Sequence, residues 1–186
     1  MKLKPEIRKF VKDRLKLIDD GKWNEFYTEI EHNTSVGDTF QMDTDIGALT
    51  QFLMSCGCDP LFSMKRVPTA YLCGSNLPSI TIPTGIWSIG CSAFAEMNNL
   101  TSVHIPQHVK VLNMHCFEHC FNLKYIKIDN PEISIHKSCF DGCESLRSID
   151  FAGTVPKWRE KDLILYQAVV TCNDGSVVYD EQGDFI

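Results

Sequence analysis

The sequence predicts an α+β chain: an N-terminal helical cap, a short solenoid with a parallel strand ladder, and a C-terminal hairpin cap. Three observations carry this. A phrase of the form Leu-x-x-Ile-x-Ile recurs at Leu77, Leu100, Leu123 and Leu146, 23 residues apart each time. The stretch before it carries apolar residues at helical spacing. The stretch after it holds two alternating segments around Asn173-Asp174-Gly175, a strong hairpin signal. The chain therefore divides into residues 1–66, 67–154 and 155–186.

The cap reads as three helices. Pro5 stands at the start of the first, which sets Ile7, Phe10, Val11 and Ile18 near one stripe and ends at Gly21. Trp23, Phe26, Tyr27 and Ile30 continue at helical spacing, as core packing of a cap requires. Asp43 or Asp45 opens the third helix, Ile46, Leu49, Phe52 and Leu53 form its buried side, and Gly57 and Pro60 close it. Charge is uneven here: residues 1–22 hold eight basic and four acidic residues, and residues 23–64 hold seven acidic residues and no Lys or Arg. A solvated helical face accounts for the acidic run, with an acidic docking surface or nucleic-acid mimic as the sharper reading.

In the repeat, every apolar column agrees. Ile80, Val103, Ile126 and Ile149 form one, and Ile82, Ile105, Ile128 and Phe151 another. Further along each unit lie Ile89, Leu112 and Ile135, then Ala93, Cys116 and Cys139, then Phe94, Phe117 and Phe140, then Met97, Cys120 and Cys143. A half-unit precedes them, with Ala70 and Tyr71 on the Ala/Cys and Phe columns. The alternating start of each unit is a short strand with one face buried. One unit cannot bury its own apolar side, but stacked units form a continuous core.

The columns also interpret "MHCFEHC", Met114 to Cys120, which has the look of a zinc site. Cys116 and Cys120 share columns with Ala93 and Met97, so they belong in the core as small apolar residues. His115 and His119 share columns with Ser92 and Glu96, which face solvent. One ion cannot reach all four, and no metal or other cofactor is expected.

"LPSITIPTGIWSIGCSAFAEMNNLTSVHIP" closely resembles the BspA-type leucine-rich repeat, over about residues 68–154. The tail resembles the closing segment of such proteins, through Gly153, Thr154, Trp158, Cys172, Asp174 and Gly175. The third unit departs from the pattern: Asp129 follows its strand where Pro83 and Pro106 follow the earlier ones. Glu132 falls where Ile86 and Val109 stood, and Ile133 is placed to replace them. The segment before the repeats, "DIGALTQFLMSCGCDPLFSMKRVPTAYLCGS", is similar to a leader found in proteins of tailed bacteriophages. That resemblance implies a phage origin.

Composition narrows function. The chain has 186 residues, 44% apolar and 23% charged, which is ordinary for a globular protein. A net charge of -6 argues against coating nucleic acid, and no apolar run is long enough to span a bilayer. The N-terminus lacks the apolar stretch of a signal peptide, so a cytoplasmic location is expected, the host cytoplasm for a phage protein. Nine cysteines in such a chain are read as free thiols. No catalytic motif appears, so the protein is not expected to be an enzyme. The repeat instead offers a surface. Ser79 and Thr81, Ser102 and His104, Tyr125 and Lys127, and Ser148 and Asp150 line up as outward positions of the strand ladder. The expectation is a protein-binding module that engages and inhibits a host protein, with Tyr125 and His104 as anchors. A virion or tail-associated structural protein or an adhesion module is the alternative, and an incompletely capped solenoid end leaves room for self-association.

Overall fold

The computed structural model describes Thr50 and residues 64–186. The helices expected before residue 64 lie outside the described residues.

The described chain is a stack of short coils, built from two parallel sheets and a wall of turns. The first sheet joins β1 (Arg66–Val67), β2 (Ser88–Ile89), β4 (Val111–Leu112) and β6 (Ser134–Ile135), all parallel. The second joins β3 (Ser102–Ile105), β5 (Tyr125–Ile128) and β7 (Ser148–Phe151), parallel and in register at the 23-residue period. Their inward columns are buried, with Val103, Ile126 and Ile149 in one row and Ile105, Ile128 and Phe151 in the next. Alternation along each strand therefore sends one row inward and leaves the other on the surface.

The third wall is made of turns. Phe94, Phe117 and Phe140 stack there, with ring centroids 5.5 and 5.9 Å apart. Two columns carry left-handed backbone: Ser92 and His115 in one (φ 51° and 58°), and Glu96, His119 and Gly142 in the other (φ 56°, 54° and 70°). Each non-glycine residue there costs roughly 1–2 kcal/mol, which the stacked core offsets. Cys116, Cys120 and Cys139 are fully buried between these positions. The Cys120 and Cys143 thiols donate to the Phe94 and Phe117 carbonyls of the preceding coil, at 3.1 and 3.0 Å. Cysteine thus supplies small apolar volume and satisfies a carbonyl.

Two expectations need correction. The first unit is 22 residues long: Val67 pairs with Ile89, and Ala70 has the φ of 52° that marks the Ser92 column. Tyr71 and Leu72, rather than Ala70 and Tyr71, therefore sit on the Ala/Cys and Phe columns. Second, residues 77–83 form no strand, although Ile82 is buried. Pro78, whose ring fixes φ, opens this segment where Thr101, Lys124 and Arg147 stand in the later units. The ladder thus begins at β3. The expected distortion of the third coil is local: the coil gains one residue after β5 and loses one before β6. Ile133 N–H donates to Asn130 as Val109 N–H donates to Pro106, and Ile133 fills the core position as anticipated. Leu112 still pairs with Ile135, so the shift is cancelled within one turn.

The C-terminal segment closes the stack. β8 (Val169–Cys172) adds parallel to β7, and β9 (Gly175–Val178) pairs antiparallel to β8 through the Asn173-Asp174 turn. Helix α1 (Val155–Arg159) precedes them and buries Trp158. The Trp158 ring packs 5.2 Å from Phe151, and its Nε1 donates to the Tyr179 hydroxyl at 2.9 Å. The Asp174 carboxylate accepts from Val155 N–H at 2.8 Å and ties the hairpin turn to the helix start.

Candidate functional site

The outward rows of the second sheet form one continuous polar surface. Strand pairing sets Ser102, Tyr125 and Ser148 side by side, and His104, Lys127 and Asp150 beside them. The hairpin extends both rows: Val169 pairs with Ser148 and with Val178, and Thr171 pairs with Asp150 and with Ser176. Six of the eight residues expected on this surface are therefore together. Ser79 and Thr81 are exposed but lie outside the sheet, because their segment forms no strand.

The surface is internally bonded. His104 Nε2 lies 2.5 Å from Asp129 Oδ2, and Lys127 Nζ lies 3.1 Å from Asp129 Oδ1. One carboxylate thus clasps side chains from adjacent strands. Burial acts to raise the Asp129 pKa, but the hydrogen bonds from His104 and Lys127 and their charges hold it below the usual carboxylate range. On the next strand pair, the Tyr125 hydroxyl donates to Asp150 Oδ2 at 2.6 Å. That bond, with desolvation and the negative charge of Asp150 and Asp129, pushes the phenol up to about 12. Tyr125 therefore stays protonated and its ring is held in place. A shallow hollow of about 220 Å³ lies beside these groups, among Lys127, Asp129, Asp150 and Thr171.

Asp129 was not among the residues expected here. Its signal was the missing proline after the third strand. It occupies the extra position of the irregular coil, and Asn130 takes over the turn. Asn130 Nδ2 donates to the Val109 carbonyl at 2.7 Å, and its Oδ1 accepts from Glu132 N–H at 2.9 Å.

The "MHCFEHC" residues separate as the columns require. Cys116 and Cys120 are inside, His119 is exposed and stacks on Phe121 at 5.5 Å, and His115 pairs with Glu118 at 3.2 Å. Burial pushes the Cys120 thiol up to about 12 and raises those of Cys139 and Cys143 as well. Among the described residues no three His, Cys, Asp or Glu side chains come together as a metal-binding group. The His136–Ser138 contact (2.8 Å) is a local turn, in which Nδ1 also accepts from Ser138 N–H.

No curated protein matches the chain. Among solved structures, a leucine rich cell surface protein from Faecalibacterium prausnitzii A2-165 is similar, with a TM-score of 0.42 and 23% sequence identity. The match covers 52% of this chain and 32% of that protein, so it spans about a third of the larger molecule. Residues 65–161 match the family described as "BspA type Leucine rich repeat region (6 copies)". That is more than half of the chain, and it covers the strands and turns whose columns define the solenoid: the protein belongs to the BspA-type leucine-rich repeat family.

Proposed function

We propose that this protein is a non-enzymatic binding module that engages a partner protein through the outer face of the second sheet. The observation that carries the proposal is the fixed arrangement of His104, Asp129 and Lys127 beside Tyr125 and Asp150. Side chains already held in place lose little entropy on binding, and an aromatic ring beside charged groups is the composition of an energetic centre. The finer reading is a phage-encoded protein of the host cytoplasm that binds and inhibits a bacterial protein, such as a defence or nucleic-acid-processing factor. The similarity of residues 45–75 to a bacteriophage leader supports that reading.

Affinity capture from bacterial lysate, run beside a Tyr125→Ala/His104→Ala variant, tests it. One stoichiometric host protein, bound by the native chain and lost in the variant, is the expected result. A partner kept by the variant would remove the sheet face from the proposal. Absence of any partner, with the chain recovered in virions, would favour the structural alternative.

A further inference from the structure

At its C-terminal end the solenoid must satisfy the backbone of its last coil on three walls. Two are closed. The β8–β9 hairpin continues the second sheet, and Lys161 Nζ donates to the Ile133 carbonyl beside the first, at 2.6 Å. Among the described residues, no element closes the turn wall. Along it, one coil donates to the next in two unbroken series. Leu72, Phe94 and Phe117 N–H bond to the carbonyls of Ala93, Cys116 and Cys139. Gly74, Glu96 and His119 N–H bond to those of Ala95, Glu118 and Asp141. The next donors in these series are Phe140 and Gly142, and neither N–H has an acceptor among the described residues.

These two donors border a hollow of about 350 Å³ walled by Phe140, Leu146, Ile164, Leu165 and Tyr166. Ile164 and Tyr166 are 61% and 57% exposed beside it. Asp141 and Glu144 complete its rim, and neither carboxylate has a cationic partner among the described residues. The nearby Arg147 turns its guanidinium to the carbonyls of Glu144, Leu146 and Tyr166.

We propose that this end of the turn wall is a second docking site, distinct from the sheet face, for an extended peptide of a partner protein. Two backbone carbonyls of the peptide accept from Phe140 and Gly142 N–H, as the next coil of the solenoid would. An apolar side chain between them enters the hollow, and a flanking Lys or Arg meets Asp141 and Glu144. The occupant is defined by the three features together: main-chain acceptors two residues apart, an apolar insert and positive charge.

Amide hydrogen exchange followed by NMR on the full chain tests this, with the end-capped peptide Lys-Leu-Thr-Leu-Lys as probe. Saturating peptide should slow exchange at Phe140 and Gly142 at least tenfold. The same peptide with Glu in place of Lys should bind at least tenfold more weakly, and Asp141→Lys/Glu144→Lys should reverse that preference. Both substitutions are at exposed positions and leave the fold intact. The Tyr125→Ala/His104→Ala variant should bind the peptide unchanged. Unaltered exchange at millimolar peptide would overturn the proposal, as would loss of protection in the sheet-face variant. Protection that rises with protein concentration alone would identify the occupant as a second copy and would also overturn it.

Discussion

Replacing Phe117 with alanine tests whether the turn wall is the continuous packed ladder described above. Phe117 is fully buried, and its ring lies between those of Phe94 and Phe140 at 5.5 and 5.9 Å, inclined by 26° and 19°. Truncating a buried Phe to Ala ordinarily costs about 3–5 kcal/mol. Here the cavity would open between two stacked rings, each contact being worth about 0.5–1.5 kcal/mol beyond its area. Backbone bonds between coils limit collapse of the neighbours: Phe94 N–H donates to the Cys116 carbonyl, and the Cys139 and Asp141 carbonyls flanking Phe140 accept from Phe117 and His119 N–H. The expected loss is therefore at the upper end, about 4–5 kcal/mol. Phe117→Leu keeps most of the buried area and loses the ring contacts, so about 1–3 kcal/mol is expected. Urea unfolding followed by far-UV circular dichroism measures both. A loss below about 1.5 kcal/mol for the alanine variant would mean that the wall adjusts freely, and the ladder account would be wrong.

The buried thiols set an alkaline limit to stability. The Cys120, Cys139 and Cys143 pKa values lie above the free-thiol value of 9.0, so above pH 9 the unfolded chain releases protons that the folded chain retains. Unfolding free energy should be flat with respect to these groups from pH 6 to 8 and fall as pH rises beyond about 9; a flat curve to pH 10 in urea titrations would contradict the burial argument. Gly142→Ala should cost about 2 kcal/mol or more, since φ is 70° and an added Cβ would lie 2.2 Å from His119 Cδ2. His119→Ala in the same chain should return the steric part, and thermal melts of the single and double variants separate the two terms. Asn130→Ala should cost about 1–3 kcal/mol, because it leaves the Val109 carbonyl and Glu132 N–H without their partner. Equal stability of that variant would mean that the irregular turn holds itself without the amide.

Periodicity made most of the solenoid legible. Columns 23 residues apart located β3, β5 and β7, and separated the buried Cys116 and Cys120 from the outward His119. The Asn-Asp-Gly signal located the closing hairpin. What escaped was local length. A single missing residue shifts the first unit against its neighbours, and Ala70 and Ser92 share no side-chain character that would betray their common left-handed backbone. Ser79 and Thr81 fit the strand pattern by type, yet their segment, which opens with Pro78, forms no strand. The two-residue strands of the first sheet are too short to give a period of their own.

The irregular third coil shows how a solenoid acquires a distinctive surface without disturbing its core. An insertion inside a strand would reverse every side chain beyond it. The added residue instead falls just after β5, and the compensating loss falls just before β6, so both sheets keep their register. Ile133 restores the apolar column, and Asn130 replaces the rigidity of the lost proline with two hydrogen bonds. Asp129 is then free of any structural duty in the core. It lies within reach of His104 on one strand and Lys127 on the next, where the proline of the earlier coils could offer no charge. The departure from the repeat and the centre of the proposed binding face are therefore the same event, and in other solenoids of this family such displaced prolines mark the positions to test first.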